Sequence, residues 1–173
     1  MASSPRRVYW DACVWIALIQ REKISIGVSD RDTLCRTVIA EAKKNKVEIL
    51  TSTLSLVEVC RSPGIQATPD DQLGAFFEND YVLLMNVDRL VGELARQLMS
   101  AGHTGLKPPD AIHLASAVIG IVAEFHTFDG EGKKPGLLQL DGKINRLDGG
   151  KLRICAPDVG DAPPPLLSQL KKP

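Results

Sequence analysis

The sequence has no excess of charge of either sign. Its 173 residues include 21 lysines and arginines and 21 aspartates and glutamates, so the formal net charge is zero. A protein without a net positive field does not attract polyanions over its whole surface. If this chain binds nucleic acid, it must therefore use a local basic patch or a bound metal ion.

The sequence also lacks paired cysteines. Cys13, Cys35, Cys60 and Cys155 are dispersed along the chain, and no two of them form a C-x-x-C pair. This spacing favours reduced, partly buried thiols over a disulfide framework. We therefore expect a cytoplasmic setting.

Long hydrophobic runs are missing as well. The longest uninterrupted run, residues 12–19, is much shorter than the roughly 20 residues that span a bilayer. Arg6 and Arg7 before an apolar stretch resemble the start of a secretory signal, but Asp11 interrupts the stretch and no small-residue cleavage pattern follows. We expect neither a membrane span nor a signal peptide.

The length and composition suit a single domain. With 44% apolar residues, the chain can bury one substantial core but is too short for two comfortable ones. We predict one domain over residues 1–157. The proline-rich tail, residues 158–173, is expected to be disordered; the alternative is that Leu166, Leu167 and Leu170 dock on a partner.

Short apolar segments alternate with amphipathic ones along the chain. The predicted strands cover residues 7–10, 47–51, 81–87, 122–127 and 152–155, and the predicted helices cover residues 12–19, 29–46, 53–62, 70–79, 89–101 and 110–119. Residues 63–69 are predicted to form a loop, and the strand at 81–87 to be buried. Strands separated by helices predict an α/β fold with a parallel sheet covered on both faces.

Asp11 is the feature that most needs a functional explanation. It is the only charged residue between positions 8 and 19 and lies where the first strand becomes a helix. A carboxylate in apolar surroundings costs several kcal/mol unless a cation or hydrogen-bond donors meet it. The sequence therefore predicts a partner for Asp11.

Three other acids are candidates to share that partner. Asp129 follows the fourth predicted strand, Asp110 lies in the first turn of a buried helix, and Glu58 lies on a mostly apolar helix. Ligands of open parallel sheets collect at the carboxyl ends of the strands, and an all-oxygen site selects Mg²⁺ or Mn²⁺. Each acid also has an ordinary alternative: a helix cap for Asp110, a solvated surface residue for Glu58 and a turn residue for Asp129.

Other residues give weaker signals. A phosphatase of the haloacid dehalogenase type needs a second aspartate two residues after the first, where this chain has Cys13. His113 is interpreted as a core or interface histidine. Basic residues lie near the acids in sequence and could contact RNA phosphates or simply be solvated; they are Arg61, Lys107, Lys133 and Lys134.

Four segments together carry a family resemblance. VYWDACVWIAL, STLSLVEVCR, KPPDAIHLASA and FHTFD resemble, in order and spacing, the four acidic motifs of the PIN-domain ribonucleases. The likeness is greatest to the VapC-type toxins of bacterial toxin–antitoxin pairs. It covers residues 7–157, and DAIHLASA is its most specific part.

The resemblance implies a fold, an activity and a set of site residues. The implied fold is a three-layer α/β/α sandwich around a parallel, roughly five-stranded sheet. The implied activity is Mg²⁺- or Mn²⁺-dependent endonucleolytic cleavage of RNA by a homodimer that a small antitoxin inhibits. Asp11, Glu58, Asp110 and Asp129 would bind the metal, and the hydroxyl of Thr127 would orient water or phosphate at the metal.

The chain departs from this family directly after Asp11. Many relatives have Thr or Ser at the next position and Asn or Ser after it, whereas this chain has Ala12 and Cys13. We expect this change to remove polar support from the metal ligand and to weaken metal binding. It also leaves an alternative open, namely a catalytically weak PIN-like module that binds a protein or RNA.

Overall fold

The computed structural model describes residues 4–66, 68–103 and 105–158. The strands are β1 Arg6–Trp10, β2 Ser25–Ile26, β3 Ser29–Asp30, β4 Val47–Ser52, β5 Val82–Met85, β6 Glu124–His126 and β7 Arg153–Cys155. The helices are α1 Ala12–Gln20, α2 Arg31–Ala42, α3 Leu54–Glu58, α4 Pro63–Gln66, α5 Asp70–Phe77, α6 Arg89–Ser100 and α7 Pro108–Ile119. Short 3₁₀ turns cover Val59–Arg61, Glu131–Lys133 and Leu137–Leu140.

Five strands form one parallel sheet in the order β5-β4-β1-β6-β7. The chain builds outward from β1 through β4 to β5, then crosses to the other side of β1 to form β6 and β7. The strand order therefore reverses beside β1, which is where ligands of open α/β sheets bind. The predicted α/β fold with a five-stranded parallel sheet is confirmed.

Helices cover both faces of the sheet. Alternate residues of a strand point to opposite faces, so Val8 and Trp10 pack with Trp15 of α1 and Val38 of α2 on one side. On the other side, Tyr9 of β1 packs with Leu114 and Val118 of α7 and stacks on Phe125 of β6. These two cores on either side of one sheet give the three-layer sandwich.

Two predicted elements differ from the structure in their bounds. The helix predicted over residues 29–46, with its cap in SDRD, is α2, which begins at Arg31 because the Asp30 carboxylate accepts a hydrogen bond from the Thr33 N–H at 2.7 Å. The short β2–β3 hairpin before it was not predicted. The loop predicted over residues 63–69 contains α4, whose first residue is Pro63. Proline fits a first helical turn because the N–H that it lacks would have no helical partner there.

The strand predicted as buried at 81–87 is instead an edge strand. Among the described strands, β5 pairs only with β4, and Leu83 and Leu84 remain 37% and 41% exposed. An apolar run predicts that a segment is extended, but it does not report the position of the strand in the sheet. The burial prediction for this strand is therefore wrong.

Two further predictions concern the C-terminal tail and membrane-spanning helices. Residues 159–173, which make up nearly all of the predicted tail, lie outside the described residues, so the domain boundary stays a prediction. Within the described part of the chain, no helix is both long and apolar enough to cross a membrane.

Candidate active site

One cavity of about 160 Å³ is lined by all four acids that the sequence singles out. Asp11 directly follows β1, Glu58 is the last residue of α3, Asp110 lies in the first turn of α7, and Asp129 comes shortly after β6. The remaining lining residues are Ala12, Cys13, Arg61, Lys107, Pro109 and His113. The fold thus brings together acids that lie far apart in the sequence.

Asp11 is held in place by hydrogen bonds from three groups. Its carboxylate caps α1 by accepting from the Val14 N–H at 3.2 Å, and it accepts from the Thr127 hydroxyl at 2.7 Å. The Cys13 thiol donates to it at 2.9 Å. Because Asp11 is only 5% exposed, burial raises the pKa of its carboxyl group. The partners that the sequence predicts for Asp11 therefore include hydrogen-bond donors of the protein itself.

Thr127 supports this arrangement from beneath the cavity. It is fully buried, and its Oγ1 atom accepts a hydrogen bond from the Asp129 N–H at 2.9 Å while donating to Asp11. The hydroxyl therefore joins the segment after β6 to the acid after β1. With its proton directed at Asp11, Thr127 acts on the site through that carboxylate.

The expectation that Cys13 leaves Asp11 without polar support is wrong. The thiol donates to Asp11, and its sulfur accepts a hydrogen bond from the Phe128 N–H at 3.1 Å. Burial and the nearby Asp11 carboxylate raise the pKa of the Cys13 thiol, so it remains a protonated donor. Cys13 thus gives Asp11 a hydrogen-bond donor, although a thiol is a weaker donor than a hydroxyl or an amide. The expected weakening of metal binding stays a prediction.

Asp110 and Asp129 add negative charge opposite Asp11. Burial raises the pKa of the Asp110 carboxyl group, and the charges of Asp129 and Asp11 raise it further. Asp129 is exposed, and its carboxylate accepts from the Leu137 N–H at 3.0 Å. These acids therefore form an electronegative cavity in which negative charge is only partly compensated.

Glu58 is paired with a histidine that the sequence analysis did not assign to the site. The Nε2 atom of His113 lies 2.5 Å from the Glu58 Oε2 atom, and both side chains are buried. Burial alone would raise the pKa of Glu58, but the hydrogen bond with His113 and the charge of Arg61 lower it. His113 lies three residues after Asp110 on α7, and this spacing, which places both on one helical face, was the available signal.

Two of the four candidate RNA-contacting cations line the cavity. Arg61 lies 3.6 Å from the Glu58 Oε1 atom, and Lys107 lies at the start of α7. Lys134 instead lines an adjacent cleft that also includes Asp129. The side chain of Lys133 is outside the described part of the structure. Basic groups thus flank the acids although the chain as a whole is neutral.

The donor set of this cavity fits a hard divalent cation. Carboxylate oxygens are the ligands that Mg²⁺ and Mn²⁺ prefer, and a cation would relieve the repulsion that raises the pKa of Asp110. Another described group has its ligand atoms closer together than the four acids do. In this group, which consists of Glu124, His126 and Cys155, the ligand atoms lie within 4.8 Å of one another.

That second group lies outside the cavity and is already paired. Glu124 forms ion pairs with Arg6 at 2.9 Å and with Arg153 at 2.7 Å. His126 accepts a hydrogen bond from the Trp10 indole N–H at 3.1 Å and contacts Glu124 at 3.0 Å. Two guanidinium groups on the same carboxylate disfavour a further cation there, so the acidic cavity is the better metal site.

Comparison with solved structures identifies the fold. The chain resembles VapC20 of Mycobacterium tuberculosis, described as a Sarcin-Ricin loop cleaving toxin, with a TM-score of 0.55 and 16% identity over 72% of this chain and 91% of that one. It also resembles a toxin–antitoxin complex from Klebsiella pneumoniae, with a TM-score of 0.52 and 18% identity over 72% of this chain and 88% of that one. No protein-family model matches the chain, and neither does any curated protein.

The class that this comparison defines is the α/β/α sandwich shared with these neighbours. One neighbour is described as a VapC toxin and the other as a toxin–antitoxin complex, so the predicted resemblance is confirmed at the level of the fold.

Proposed function

We propose that this protein is a metal-dependent endoribonuclease that cleaves RNA phosphodiester bonds. The observation that carries the proposal is the convergence of Asp11, Glu58, Asp110 and Asp129 on one cavity beside the reversal of strand order. Its donor chemistry suits Mg²⁺ or Mn²⁺. When bound, such an ion supplies a Lewis acid that activates water and offsets charge at the phosphate.

Some residues of the site would bind the metal ion, and others hold those ligands in position. Asp11, Asp110 and Asp129 would hold the ion, and Glu58 would complete its ligands or orient the attacking water. The hydrogen bond from Thr127 supports the role of Asp11, because a metal-ligating carboxylate must be fixed in direction.

The rim of the cavity supports a nucleic acid as the substrate. Arg61 and Lys107 provide positive charge beside the acids, and such groups position a nucleic acid backbone through its phosphates. Binding through two rim cations suits a neutral protein, because the attraction stays local. We propose that these side chains contact phosphates on either side of the scissile bond.

We further propose that the protein is the toxin of a toxin–antitoxin pair. The fold supports this, because one structural neighbour is described as a toxin and another as a toxin–antitoxin complex. The proposal includes a homodimer, a small antitoxin that covers the acidic cavity, and a cytoplasmic setting suited to four free cysteines. Co-purification with the product of an adjacent small open reading frame, and loss of RNA cleavage in that complex, would test the pairing.

Cleavage of RNA by wild type and Asp11→Asn in the presence of Mn²⁺ tests the enzymatic proposal. We expect the wild type to cut and the variant to lose at least about 100-fold in rate, because the amide is a poor ligand for a hard cation. Asp148→Asn is the matched control, since Asp148 lies outside the cavity on an exposed turn. A wild type that cuts nothing, or an Asp11→Asn variant that cuts as well as the control, would refute the assignment.

A further inference from the structure

A buried chain of hydrogen bonds leads from the centre of the sheet to the cavity. It starts at the backbone of Ser52 at the end of β4, passes through Tyr9 of β1 and His113 of α7, and ends at Glu58. Tyr9 is fully buried and His113 is 2% exposed. Of these four hydrogen-bonded residues, Glu58 and His113 line the cavity.

The backbone of Ser52 gives this chain a direction. Its N–H donates to the Tyr9 hydroxyl oxygen at 3.1 Å, which directs the proton of that hydroxyl toward another acceptor. The His113 Nδ1 atom lies 2.7 Å from the same oxygen. The Ser52 Oγ atom also lies near Nδ1, but at 3.5 Å. The shorter contact assigns the Tyr9 hydroxyl as the donor to Nδ1, which places a ring proton on Nε2.

The proton on Nε2 determines how Glu58 is presented. At 2.5 Å from Nε2, the Oε2 atom of Glu58 accepts this N–H, which leaves Oε1, the oxygen that Arg61 approaches at 3.6 Å, to serve the cavity. The other neighbour of Glu58, Arg61, lies 3.6 Å away with a side chain that is 68% exposed. A solvent-screened contact of this kind does not fix a carboxylate.

We propose that His113 and Tyr9 are positioning residues for Glu58. Tyr9 fixes the Nε2–H tautomer of His113, and His113 holds the Glu58 carboxylate with one oxygen directed at the metal site. The functional consequence rests on the proposed nuclease activity, whereas the tautomer and the hold on Glu58 do not. The arrangement parallels the outer partners that orient metal-binding side chains in other proteins.

The tautomer is tested on the free protein by ¹⁵N NMR of the histidine rings near neutral pH. Signals of His113 are identified by their absence in His113→Gln. We expect a protonated Nε2 and an unprotonated Nδ1 in the wild type, and a new population with protonated Nδ1 in Tyr9→Phe. Tyr81→Phe is the control, because it removes the same hydroxyl from a tyrosine that lines a different cavity. A protonated Nδ1 in the wild type, or a Tyr9→Phe spectrum like that of the control, would overturn the proposal.

The hold on Glu58 is tested by isothermal titration with Mn²⁺ in the absence of RNA. We expect His113→Leu to weaken Mn²⁺ binding by about 10- to 100-fold. His113→Gln should recover most of that loss, because a glutamine amide N–H can replace the Nε2–H donor. Equal affinity in the wild type and His113→Leu, or no recovery in a folded His113→Gln, would overturn the positioning role.

The two assays separate this inference from the proposed function. RNA cleavage that is absent while Mn²⁺ binding follows the expected order would refute the nuclease and leave the positioning role intact. A wild type that binds no Mn²⁺ would refute the metal site and with it the functional consequence, whereas the tautomer set by Tyr9 is decided by the NMR spectra alone.

Discussion

Replacing Thr127 with valine should destabilise the protein far more than its small change in shape suggests. The hydroxyl is fully buried, donates to the Asp11 carboxylate at 2.7 Å and accepts from the Asp129 N–H at 2.9 Å. Valine leaves both partners without it. A hydrogen bond to a charged group contributes about 1.5 to 3 kcal/mol and a neutral one about 1 kcal/mol, so we expect a loss of about 3 kcal/mol.

Urea-induced unfolding without added metal measures this loss. Domains of this size unfold at a total cost of about 5 to 15 kcal/mol, so the midpoint should fall clearly. Thr127→Ser is the matched control because it keeps the hydroxyl and removes only a methyl group. A Thr127→Val variant within about 0.5 kcal/mol of Thr127→Ser would refute the role given to this hydroxyl.

Three further outcomes follow from the same structure. Burial and the charge of Asp129 raise the pKa of Asp110 in the folded protein above its value in the unfolded chain. As the pH rises from the unfolded pKa to the folded pKa, this carboxyl group therefore lowers the stability of the fold. We expect Asp110→Asn to unfold at a higher urea concentration than the wild type at neutral pH, with no gain near pH 3. Cys13→Ser should keep the Mn²⁺ affinity that Cys13→Ala loses, and equal affinities would contradict this. Glu124→Gln should lower stability by up to about 3 kcal/mol by breaking two ion pairs, while a change in RNA cleavage would contradict its place outside the cavity.

The sequence predicted the arrangement of the site better than its local contacts. Asp11 and Asp129 follow strands that turned out to be parallel neighbours, and the carboxyl ends of such strands meet at one edge of the sheet. Asp110 and Glu58 could be included because each is an acid in an otherwise apolar helix. Fold-level rules therefore placed Asp11 and Asp129 together, whereas the family resemblance was needed to assign Asp110 and Glu58 to the same site.

The missed features depend on geometry that no pattern in the chain reports. The β2–β3 hairpin consists of two-residue strands, which are too short to show periodicity. The support that Cys13 gives to Asp11 depends on the direction of one thiol. His113 had a helical spacing to Asp110 that hinted at a shared face, but only the folded chain brings it to Glu58.

Anomalous scattering from a crystal soaked in Mn²⁺ tests whether the four acids form a divalent metal site. We expect a manganese peak in the cavity between Asp11 and Asp110. A crystal with no peak in that cavity, or with manganese only at Glu124, His126 and Cys155, would contradict the claim.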